Sequence, residues 1–209
     1  MRPGPASRRL IAVLRAEHAS AYRPVVRTLV ECGIREIELT LTTPETLRDV
    51  RSLREEFGRD ASIGVGTVTS EELARRALDA GAQFLVTPGL VPGVPASASR
   101  LGVPTIMGAL TPTEVLAATN AGADAVKIFP ASAVGPGYLR QLRGPFPSLA
   151  AIPSGGVEIA DADGWFAAGA VAVSMGGPLI GDALAGGSLA ELRERAARLV
   201  AAAGGVGTP

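Results

Sequence analysis

Of the 20 basic side chains in this 209-residue sequence, only Lys127 is a lysine. Arginine serves wherever charge and solvation suffice, but a guanidinium stays protonated and cannot attack a carbonyl. The lone lysine is therefore a candidate nucleophile. It lies in "ADAVKIFPAS", flanked by Val126, Ile128 and Phe129, so its amine either reaches out of a cavity mouth or sits half-buried, where desolvation penalises the ammonium form. Glu38 is the second candidate. In "REIELTL" the two-residue period of a strand puts Glu36, Glu38 and Thr40 on one face and Ile37 and Leu39 on the other. With the first face lining an apolar lumen, Glu38 is a carboxylate placed to exchange protons with substrate or water; the competing reading is a salt bridge at a sheet edge. Arg15 closes the run "IAVLR", where its planar fork suits a substrate carboxylate or, alternatively, an ion pair at the rim.

Other polar groups end apolar runs in the same way. Thr67, Thr87 and Ser154 offer hydroxyls that serve equally well as turn formers. The glycine pairs Gly155-Gly156 and Gly176-Gly177 could present backbone N–H groups to a phosphate, or simply make turns. His18, the only histidine, follows Glu17 in a loop and reads as solvated. The single Cys32 excludes an internal disulfide and reads as a small hydrophobe within a helix. No HExxH, cysteine pair or aspartate cluster occurs, so neither a metal nor another cofactor is expected.

The elements that position these residues follow from periodicity. Strand-like runs cover residues 10–15, 36–41, 62–67, 84–87, 105–108, 125–129, 150–154 and 171–175, and helical patterns begin near Ala19, Pro44, Ser70, Val91, Thr113, Gly137, Ile159 and Ser188. Thr43 before Pro44, Ser70 before Glu71-Glu72, and Thr111-Pro112-Thr113-Glu114 have the chemistry of helix starts. Gly33, Gly81, Gly122 and Gly169 each follow a helical run and mark its end. Eight such β/α units predict a parallel sheet closed into a (β/α)8 barrel, with the site at the strands' C-terminal ends. The alternative, an open doubly wound sheet, wants a glycine-rich loop after its first strand, and "VLRAEH" stands there instead. The whole chain, 1–209, reads as one domain, with 204–209 as a frayed tail.

Composition narrows the partners. Twenty acidic residues balance the twenty basic ones along the whole length, leaving no basic stripe for a phosphodiester backbone, so no nucleic acid is expected. No apolar run reaches the ~20 residues of a bilayer span and no signal-like segment opens the chain, so no membrane is expected and the cytoplasm is the expected location.

The segments "IAVLR", "GIREIELTLTTP", "GVGTV", "AGAQFLVTPGL", "GADAVKIFPAS" and "IPSGGV" resemble the class I aldolases of 2-keto-3-deoxy-6-phosphogluconate (KDPG) and 4-hydroxy-2-oxoglutarate (KHG) over about residues 10–184. "KIFPASAVGPGYLRQL" most resembles the branch acting on 2-dehydro-3-deoxy-6-phosphogalactonate. The resemblance implies a cofactor-free barrel, usually a homotrimer, that cleaves a 2-oxo acid to pyruvate and an aldehyde. It implies Lys127 as the Schiff-base lysine, Glu38 as the general acid/base and Thr67 as a contact to the pyruvyl unit. Ser154 falls near the nascent C–C bond, and Pro88 and Phe129 fall on the pocket wall. Two positions depart from the commoner pattern. Thr42 stands where many gluconate-type members carry Arg, which leaves Arg15 as the carboxylate clamp, and Pro178 stands where the phosphate loop often has Ser. Two other functions fit the same fold: a non-catalytic barrel that binds a sugar acid, and a phosphosugar isomerase or epimerase that uses carboxylates without an imine.

Overall fold

Strands and helices alternate throughout residues 8–204, the part of the chain that the computed structural model describes. The strands are β1 (Arg9–Leu14), β2 (Glu36–Thr40), β3 (Ser62–Gly66), β4 (Leu85–Val86), β5 (Thr105–Ala109), β6 (Ala125–Ile128), β7 (Ala151–Pro153) and β8 (Ala172–Met175). The helices are α1 (Tyr22–Glu31), α2 (Thr46–Phe57), α3 (Glu71–Asp79), α4 (Gly93–Ser99), α5 (Pro112–Asn120), α6 (Pro136–Leu142), α7 (Ala162–Ala167), α8 (Gly177–Ile180) and α9 (Leu189–Ala202). All strand pairs are parallel, in the order β7-β6-β5-β4-β3-β2-β1-β8. The ring closes between β7 and β8 through one isolated parallel bridge, Ser154 to Ser174, and the hydrogen bond from Val171 N to Ala151 O at 3.0 Å. The expected (β/α)8 barrel is the observed fold.

Strand alternation sorts the side chains into two sets. Leu10, Ala12 and Leu14 of β1, Ile37 and Leu39 of β2, and Val126 and Ile128 of β6 face outward into one continuous core beneath the helices. The opposite set faces the lumen. Its lower layer is apolar, built from Ile11, Phe84, Val86, Ile106, Ile152 and Ala172. Two lumen glycines make room for bulky neighbours: a Cβ on Gly64 would sit 2.3 Å from the Phe84 ring, and one on Gly66 would sit 2.0 Å from Glu38 Oε1. At the N-terminal end of the barrel Arg9 pairs with Glu36. Glu36 and Glu38 therefore share a face, as period two requires, yet lie at different depths with different partners.

The helix ends follow the expected chemistry at most places. Gly33, Gly81, Gly122 and Gly169 take φ of 91°, 96°, 87° and 97°, the left-handed cap that a side chain would strain. Ser70 caps α3, and Thr111 with Glu114 forms a capping box on α5. The Glu114 carboxyl is held below its ordinary range by the N–H of Thr111 and then that of Leu110. The α2 start differs. That helix begins at Thr46, after Glu45 at φ 61°, because Thr43 is engaged elsewhere: its hydroxyl accepts the Ala16 N–H at 2.9 Å, tying the β1 loop to the β2 loop. The α4 start is also later than its sequence pattern, at Gly93. Cys32 caps the end of α1 half-buried instead of lying inside it, and burial raises its thiol pKa above the ordinary value. Of the expected tail, Gly204 closes α9 at φ 81°, and 205–209 lie outside the described residues. None of the described helices is long and apolar enough to cross a membrane.

Candidate active site

The C-terminal ends of the strands surround a cavity of about 780 Å³. Arg15, Glu38, Thr67, Pro88, Lys127, Phe129, Ser154, Gly155, Gly156, Gly176 and Gly177 all line it, so residues dispersed over more than 160 positions of sequence meet in one place. The lumen-facing period delivers them: Lys127 on β6, Glu38 on β2 and Ser154 just past β7 each stand above the apolar layer. Lys127 and Glu38 are both buried, and Nζ lies 3.4 Å from Oε1. They form a buried ion pair across the lumen, which is costly to desolvate and gains part of that cost back from its own attraction. The Phe129 ring lies 5.6 Å from Nζ and forms the outer wall.

Gly66, the last residue of β3, fixes where Glu38 can be. With no Cβ on Gly66, the carboxylate occupies the space beside β3 and points toward Lys127. The next residue, Thr67, takes φ 60°, a left-handed conformation that costs a β-branched residue about 1–2 kcal/mol. That strain aims its side chain into the cavity. Thr67→Gly is expected to melt about 1–4 °C higher, because strain relief outweighs the extra unfolded-state entropy of glycine, while catalytic efficiency falls. Calorimetry and steady-state kinetics on the same preparation check both; a lower melting temperature would contradict the strain.

Thr87 is the strand-end hydroxyl that stays out of the cavity lining. It is fully buried, donates to Gly89 O at 2.6 Å and accepts the Gly108 N–H at 3.2 Å, so it is a turn former. Arg15 is exposed at the rim and makes no ion pair among the described residues. His18, read from the sequence as a solvated loop residue, is exposed but also lines the cavity, as do Glu17 and Ser20 beside it. The sequence reasoning missed the wall made by Ile180, Leu184 and Ala185 after β8; these residues lie in the four-residue α8 and a three-residue helical turn, too short to show a period. It missed Ser174 as well, whose hydroxyl lies 3.2 Å from that of Ser154.

Taken together, the cavity offers a buried amine, a carboxylate within proton-transfer reach, one rim guanidinium and glycine-rich loops. Such a set can form an imine with a carbonyl and move protons beside it. Residues 6–193 match the family model described as "Aldolase: KDPG and KHG aldolase". A probable 2-dehydro-3-deoxy-6-phosphogalactonate aldolase of Rhizobium meliloti (strain 1021) is 33% identical over 201 residues, covering 95% of this chain and 92% of its own. A 2-dehydro-3-deoxy-phosphogluconate aldolase of Treponema pallidum (strain Nichols) is 36% identical over 152 residues, 72% of each chain. A solved structure described as native KDPGal superposes with a TM-score of 0.86 at 32% identity, covering 92% of this chain and 93% of that one.

Proposed function

We infer the reaction from one premise: this chain belongs to the KDPG and KHG aldolase family. It is a class I aldolase, a carbon–carbon lyase that cleaves a 2-oxo acid reversibly to pyruvate and an aldehyde through a Schiff base. In this chain the amine is that of Lys127. It adds to the C2 ketone, water leaves, and the resulting iminium accepts the electron pair of the C3–C4 bond as the C4 hydroxyl loses its proton and the aldehyde departs. The enamine then takes a proton at C3, and water returns pyruvate and the free lysine. Glu38 moves the protons at each stage. The observation that carries this assignment is the buried pair at 3.4 Å in the cavity, formed by the chain's single lysine and a lumen carboxylate. Incubation with pyruvate and borohydride should add a reduced pyruvyl group to the peptide holding Lys127; active protein with that peptide unmodified would refute the assignment. Turnover unaffected by borohydride would instead favour the isomerase or epimerase reading.

Arg15 binds the substrate carboxylate. Among the cavity residues only Arg15 and Lys127 carry formal cations, and Lys127 is neutral when it attacks. Arg15→Ala is expected to raise KM for pyruvate-forming substrates about 10- to 100-fold, the worth of a charged hydrogen bond, and Arg15→Lys to recover part of that. An unchanged KM would place the clamp elsewhere. Thr67, Pro88, Phe129 and Ser154 enclose the reacting carbons. The backbone N–H groups of Gly155, Gly156, Gly176 and Gly177 receive the distal phosphate without help from Pro178.

The substrate we favour is 2-dehydro-3-deoxy-6-phosphogalactonate. Arg15 at the end of β1 together with Thr42 supports it, as does the breadth of similarity to the Rhizobium meliloti protein. Comparing pyruvate release from the phosphogalactonate, phosphogluconate and hydroxyoxoglutarate substrates decides among them. Leu90, Leu101 and Leu116, exposed by 39%, 65% and 49% on the consecutive α4 and α5 units, support an interface between copies of the chain; the family resemblance makes that assembly a homotrimer, and sedimentation equilibrium measures it. A phosphorylated sugar acid is an intracellular metabolite, which supports the cytoplasm as the place of work.

A further inference from the structure

Ser154 lies beside the path that a substrate on Lys127 must take. The register pairs Ile128 with Pro153, so Ser154 stands next to Phe129, one lumen step above Lys127 on the neighbouring strand. A carbon chain attached to Nζ and leaving through the mouth passes its hydroxyl. The backbone of Ser154 is fixed at both ends: its N–H donates to Ile128 O at 3.0 Å, and its carbonyl accepts the Ala131 N–H at 2.7 Å. The remaining freedom is the rotation of its hydroxyl about χ1. Ser174 on β8 meets that hydroxyl at 3.2 Å.

Ser174 is itself 2% exposed and does not line the cavity. Its side chain faces the lumen between Ala172 and Gly176, and among the described residues its hydroxyl makes one hydrogen bond, the one to Ser154. A polar group at that depth in an otherwise apolar layer is unfavourable unless satisfied. Here the partner that satisfies it is a hydroxyl of the site.

We propose that Ser174 is a positioning residue for the aldol step: it holds the Ser154 hydroxyl in one rotamer, so that this group meets the reacting C4 oxygen already oriented. The proposal rests on the Schiff-base reading of Lys127 and concerns the step after imine formation. A hydroxyl free to rotate would still touch substrate but would present its donor and acceptor to either face of the incoming aldehyde. Loss of Ser174 therefore reduces both the rate of C–C bond making and its facial preference.

The test compares the wild type, Ser174→Ala, Ser154→Ala and the double variant. Three readouts are needed: the rate of borohydride trapping of pyruvate on Lys127, kcat for cleavage, and the ratio of C4 diastereomers formed from pyruvate and glyceraldehyde 3-phosphate. Trapping is expected at the wild-type rate in Ser174→Ala, whose side chain does not line the cavity. Ser174→Ala should lower kcat about 5- to 10-fold, as for one neutral hydrogen bond lost in the transition state, and should erode the diastereomer ratio. In the Ser154→Ala background the same substitution should change neither by more than about 2-fold. Effects that multiply across the two sites would make Ser174 a packing residue and overturn the proposal, as would a wild-type kcat and ratio in Ser174→Ala. Ser174→Cys keeps the side-chain volume with only a weak S–H donor, so it must show the same losses where the alanine variant folds poorly. Trapping absent from every protein, wild type included, would remove the Schiff-base reading and this inference with it. Trapping in the wild type and in Ser174→Ala with unchanged C–C kinetics would remove this inference alone.

Discussion

Lys127→Arg is expected to be as inactive as Lys127→Ala, each by about 10⁴-fold or more in kcat. Arginine keeps the positive charge beside Glu38 and much of the length, so a role in electrostatics or structure would survive the exchange in part. A role as nucleophile would not, because the guanidinium does not release a proton at any pH the protein tolerates. The two variants should part company in stability. Lys127→Ala leaves the Glu38 carboxylate buried without its cation, which destabilises a fold, and should melt below Lys127→Arg. Pyruvate release with purified protein, read beside a thermal melt, tests both halves. Turnover of Lys127→Arg above about a hundredth of the wild-type value would remove the imine from the mechanism.

Glu38→Gln should lower kcat about 10²- to 10⁴-fold with little change in KM, the range for a positioned proton-transfer group. The exchange of pyruvate methyl protons with deuterated solvent, which needs no aldehyde, should slow by a similar factor. The packing around the carboxylate extends this prediction to a residue with no chemistry of its own. A Cβ at Gly66 would fall 2.0 Å from Glu38 Oε1, so Gly66→Ala must displace the carboxylate and should mimic Glu38→Gln in both assays. Retained activity in Glu38→Gln would shift the role to Glu17, the other carboxylate lining the cavity.

Much of this arrangement was legible in the sequence because two short-range rules govern it. Period two puts Glu38 on one strand face with Glu36 and Thr40, and the glycines after α1, α3, α5 and α7 fall where only a left-handed cap fits. What could not be read depends on contacts between units. Thr43 resembles a helix cap until the β1 loop arrives and takes its hydroxyl, so α2 starts two residues later than Pro44. Ser174 is an unremarkable strand serine until closure of the ring brings β7 alongside. Gly64 and Gly66 read as weak strand residues; their role depends on Phe84 and Glu38 filling the space they leave. The conformation of Thr67 is hidden for a related reason, since the surrounding fold overrides the local preference of threonine.

The seam between β7 and β8 is joined by one isolated bridge and the hydrogen bond from Val171 N to Ala151 O, and it carries Ser154 on its inner side. A ring held this way has a natural place to part, and local openings in proteins begin where few backbone hydrogen bonds must break. In mild urea the two strands would then separate before the outer helices let go. The wall beside Lys127 would be lost while the secondary structure persisted. Catalysis should accordingly fade at urea concentrations below those that abolish the far-ultraviolet circular dichroism, and amide protons around residues 151–154 and 171–174 should exchange ahead of those in β1 and β2. Activity and ellipticity that disappear together would mean the seam is as firm as the rest of the ring.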